Sequence, residues 1–105
     1  MGKPYTHAPS SNTAAVITVA AVPGVAHELE MIGWSYDAAP TGGNLKVESP
    51  SGTTLFELDI TAAGPGFIPL SGSGLKCASG QAAIITLASG AGAVSGIVNC
   101  VKRDS

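Results

Sequence analysis

Few residues in this sequence have the type and spacing to do chemistry. His7 and His27 are its two histidines, and His27 stands beside Glu28 and Glu30. A histidine among carboxylates is a metal-ligand set, but odd and even neighbours on a strand project to opposite faces, which favours a plain polar strand over a metal site. Ser73-Gly74-Leu75-Lys76 has the S-x-x-K spacing of penicillin-recognising hydrolases. That chemistry needs the serine at the start of a helix with the lysine one turn on, whereas a Gly-rich loop surrounds it here. Gly90-x-Gly92 is followed by Gly96, one position late for a dinucleotide fingerprint, and a strand is read where a helix should open. Glu48, Glu57 and Asp59 fall on wet strand faces, with no sign of a pocket to tune them. No catalytic residue, metal ligand or cofactor is assigned, and an enzyme is not expected. Trp34 and Tyr36 could form a platform on which a sugar stacks; core or interface packing is the alternative use. Cys77 and Cys100, with 22 residues between them, fit no zinc or redox spacing. Free buried thiols are the expectation for a chain made in a cytoplasm, and a disulfide is the alternative.

The elements that must position these residues are short. The chain has 105 residues, room for one domain and one core. Its hydrophobic fraction of 45% argues against global disorder, while charged residues make up only 11%, against about 25% in ordinary soluble domains. A surface of small neutral residues suits a protein covered by partners, or a plain turn-rich β domain. Net charge is −2 and the only basic pair is Lys102-Arg103, so a direct nucleic-acid ligand is not expected. The first apolar run, from Ala14, breaks at Pro23-Gly24; it is too short to span a bilayer and lacks the order of a secretory leader. A soluble product with no membrane partner is expected.

Residues 1–12, with Pro4 and Pro9, read as a flexible or partner-bound arm, and 13–105 as one β domain. Thr13 to Val22 is rich in β-branched residues and reads as a strand. Val25 to Asp37 has mixed faces, which predicts a strand that bulges at Gly33, with a helix over 26–32 as the competitor. The anchoring stretch is Asn44 to Leu70. Leu45 and Val47 alternate with Lys46 and Glu48, and Phe56, Leu58 and Ile60 alternate with Leu55, Glu57 and Asp59, across a Pro50-Ser51-Gly52 turn. Two period-2 runs joined by such a turn predict a hairpin. Gly64-Pro65-Gly66 then turns into a strand in which Pro69 suits a sheet edge. A short strand at Leu75–Cys77 and strands over 82–88 and 93–101 complete seven or eight. Short strands without intervening helices predict an all-β, antiparallel β-sandwich of jelly-roll type.

From Trp34 to Leu70 and from 82 to 99 the chain resembles a group of small tailed-phage virion proteins. The resemblance rests on SYDAAPTGG at 35–43, Leu45-x-Val47-Glu48, Phe56-x-x-Asp59-Ile60-Thr61, GPGFI at 64–68 and TLASGAG at 86–92. These are turn and strand residues and mark no site. The resemblance implies a jelly-roll-like decoration (cement) protein on the capsid exterior, made in the host cytoplasm. Its partner would be the major capsid protein or another virion protein, and it would be a homo-oligomer, trimer first and dimer second. A carbohydrate-binding or host-adhesion module of a tail or fibre, using Trp34 and Tyr36, is the alternative.

Overall fold

The computed structural model describes residues 3–70 and 75–104. Nine strands appear among them: β1 (Lys3–His7), β2 (Ala15–Val19), β3 (His27–Tyr36), β4 (Gly43–Glu48), β5 (Thr54–Ile60), β6 (Gly64–Pro69), β7 (Leu75–Lys76), β8 (Ala83–Leu87) and β9 (Gly96–Asp104). One sheet, A, runs β1-β9-β3-β6, with β7 also on β3; the other, B, runs β2-β8-β4-β5. Every pairing is antiparallel. The pairs β4–β5, β3–β6, β2–β8 and β1–β9 nest inside one another, as in one long hairpin wound into two layers. That winding is a jelly-roll β-sandwich. The anchoring hairpin at 44–60 is its tip.

The expected arm is in part a strand. Lys3–His7 pairs with β9 from Lys3↔Lys102 to His7↔Val98. Only Tyr5 of this segment packs against the core, so an edge strand held mainly by its ladder bonds shows no apolar alternation. The hairpin stands as its alternation predicts, with a turn closed by Ser49 N donating to Thr53 O at 2.9 Å. Gly64, at φ +96°, lies in the left-handed region where a glycine is strongly favoured, at the corner into β6.

The stretch 27–36 is strand throughout, not helix. Its bulge falls between Leu29 and Met31, at Glu30, and not at Gly33. One extra residue switches the phase of the alternation. Leu29 therefore shares the inner face with Ile32 and Tyr36, which accounts for the mixed faces of the sequence. The core lies between the sheets: Leu29, Ile32, Tyr36, Val98 and Cys100 meet Ile17, Val19, Leu45, Val47, Ile85 and Leu87. Full burial of each large aliphatic side chain contributes about 1.5–3 kcal/mol.

Candidate interaction surface

The residues singled out for chemistry are dispersed by the fold. Tyr36 is 1% exposed, and its hydroxyl donates to Ala88 O at 2.6 Å. Burial raises its pKa. Trp34 is half-buried against the core, and its indole lies over Gly66 of β6, where a Cβ would overlap the ring. The two aromatics thus face inward as packing, and neither offers an open stacking platform. Cys77 and Cys100 are buried free thiols. Cys77 lies beside His27, its amide donating to His27 O, whereas Cys100 pairs with Ile32 in the β3–β9 ladder. Several residues of strand rise, about 3.3 Å each, hold them beyond disulfide reach. Burial lifts the Cys100 thiol to about 11. Ser73 lies outside the described residues; Lys76 is exposed on β7.

His27 belongs to a buried polar knot. Its Nε2 is 2.9 Å from Ala20 O; a carbonyl only accepts, so Nε2 donates there, while Nδ1 faces both Lys102 Nζ and Asp104 Oδ1, 3.4 Å from each. Lys102 Nζ also donates to Asp104 Oδ1. On the opposite face Glu28 Oε2 accepts from Arg103 Nη2 at 2.9 Å. Both ring nitrogens of His27 are engaged and the ring is 1% exposed, so the knot ties β2, β3 and β9 together and leaves no open position for a ligand. Among the described residues no three His, Cys, Asp or Glu side chains are grouped to hold a metal ion. No helix among them is long and apolar enough to cross a membrane.

The feature that stands out is the outer face of sheet A. The register sets its side chains in rows. Pro4, Val101, Met31 and Pro69 form one row; Thr6, Asn99, Gly33 and Phe67 the next; Ile97, Ser35 and Pro65 the third. None of these residues is charged. Phe67 is 61% and Ile97 40% exposed. Three charges form a marginal row, Arg103, Glu28 and Lys76, and Glu30 adds a fourth at the bulge beside Met31. Large apolar side chains on an open, uncharged sheet face are what a contact surface requires, because covering them releases water without stripping ions. The sequence signal was available in Phe67 between two prolines, but the rows exist only once β9, β3 and β6 are adjacent. No family model and no curated protein matches the chain.

Proposed function

We propose that this chain is a non-enzymatic structural protein of a tailed-phage virion, a decoration protein that seats on the capsid exterior and stabilises the shell. The observation that carries the reading is the uncharged outer face of sheet A, with Phe67 at its centre edge. The jelly-roll sandwich and the low charge fraction of 11% support it, together with the virion-protein resemblance of residues 34–70 and 82–99. In this reading the three neutral rows lie against the major capsid protein or a neighbouring copy. A homotrimer is the expected assembly, with a dimer as the alternative; closed symmetry satisfies a face of this kind in either case.

The test uses undecorated capsids. Purified protein should co-sediment with them and raise the temperature at which they rupture. Failure to bind such capsids would sink the proposal. The solution mass, measured with and without reductant, fixes the stoichiometry independently.

A further inference from the structure

The four sheet edges are not equally closed. In an antiparallel strand the N–H and C=O of one residue point to the same side, and successive residues point to opposite sides. Leu70 N donates to Glu30 O on β3, so Gly64, Gly66 and Ile68 face β3, and Pro65, Phe67 and Pro69 face outward. Two of those three outward positions have no N–H to offer. On β2 the outward Val16 N–H is taken by His7 Nδ1 at 3.0 Å, and the outward Ala20 C=O is taken by His27. On β1 the alternation turns Pro4 outward. Each of these devices blunts an edge against strand addition.

β5 differs. Ala88 N donates to Asn44 O, so Asn44 and Lys46 face β8, while Leu45 and Val47 face β5. Their partners Leu58 and Phe56 then face β4, and the backbone of Glu57 and Asp59 faces outward. No proline or capping side chain closes these two positions among the described residues. Where the edge ends, a cleft of about 300 Å³ opens, lined by Pro40, Gly42, Gly43, Asp59, Ile60 and Thr61.

We infer that the β5 edge with its adjoining cleft is a strand-addition site for an extended protein segment that sets a lysine or arginine opposite Glu57 and an apolar side chain in the cleft. Backbone bonds supply affinity in this mode and the pocket supplies selection. Charge fixes the occupant. Glu57 and Asp59 stand on the same outer face. Lys46 lies across from Glu57 on β4 without an ion pair among the described residues, and Asp59 accepts from Asn44. A cation on an added strand therefore gains Glu57 as a cross-strand partner. A second copy of β5 does not suit: the irregularity at Glu48↔Thr54 leaves Leu55 out of the regular ladder. The remaining two-fold registers then set carboxylate against carboxylate. The site follows from the edge alone and would survive a failure to bind capsids.

The experiment is amide hydrogen exchange on the full chain with two blocked heptapeptides at millimolar concentration, one alternating Lys and Val, the other Glu and Val. The Lys–Val peptide should slow exchange of the Glu57 and Asp59 amides by about tenfold or more, and the Glu–Val peptide should leave them nearly unchanged. Glu57→Lys, which keeps the backbone ladder while setting a second lysine opposite Lys46, should reverse the preference. No slowing by either peptide, or equal slowing by both, overturns the inference. Slowing of the same amides with protein concentration alone, without peptide, would assign the edge to a second copy and overturn it as well.

Discussion

The two sheets present opposite outer faces from the same alternating pattern. Sheet B turns Asn44, Lys46, Glu48, Glu57 and Asp59 outward beside Val16, Thr18, Ile84 and Thr86. Its charges are in part spoken for: Asn44 Nδ2 donates to Asp59 Oδ1 at 3.0 Å, and Glu48 Oε2 accepts from Gly52 N at 2.9 Å. Sheet A turns three rows of neutral side chains outward and keeps its ions to the end marked by Glu28 and the Glu30 bulge. Alternation dictates only that every second residue leaves the core. What stands there is free to serve solvent or a partner. Sheet B is made for water along β4 and β5, half of its width, and sheet A has no such half.

The largest expected effect comes from placing a charge inside the neutral rows. Asn99→Asp is nearly isosteric and sits between Thr6 and Gly33. A carboxylate buried there against a shell without a partner should weaken capsid binding by about tenfold or more, with the folding midpoint little changed. Thr86→Asp, beside Lys46 on sheet B, is the matched control and should bind as the parent does. Equal losses from both changes would erase the distinction between the faces. Co-sedimentation with capsids reads both.

A smaller effect is expected beneath the same face. Gly66→Ala drives a methyl into the Trp34 ring. Displacing that indole should cost about 1–3 kcal/mol of stability, read as a lowered urea midpoint. An unchanged midpoint would mean that Trp34 does not hold β6, and so does not support Phe67 from below. The smallest concerns the charged margin. The Lys102 ammonium, hydrogen-bonded to Asp104, holds that carboxyl below its ordinary value. A lowered folded pKa contributes stability above the unfolded value, near pH 4, and loses it as pH falls through the folded one. Asp104 is mostly exposed, so the contribution is small. Asp104→Asn should flatten the decline in midpoint below about pH 4 and leave the neutral-pH midpoint close to the parent's.

Much of the fold could be read along the chain. The β4–β5 hairpin, the edge character of β6 and the apolar β8 announce themselves through period-2 alternation and through prolines and glycines at turns, since those signals are local. Three features escaped. β1 carries no apolar pattern, because its place depends on ladder bonds to β9, almost a hundred residues away. The bulge falls at Glu30, whereas the mixed faces point to Gly33, because the partner's register, and not a glycine, decides where an extra residue is absorbed. Trp34 and Tyr36 could serve as a sugar platform or as packing until Gly66 and Ala88 were brought beside them.

By itself the sequence determined that this chain would be all β and poor in charge, since composition and alternation are properties of single segments. The tertiary structure alone decided which segments lie side by side. It set Val101, Met31 and Phe67 on one face, tied His27 to Lys102, and left β5 as an edge whose outward Glu57 and Asp59 positions have no proline or capping side chain among the described residues. Adjacency in a wound hairpin is fixed by pairings between distant strands, and no local stretch of residues encodes those by itself.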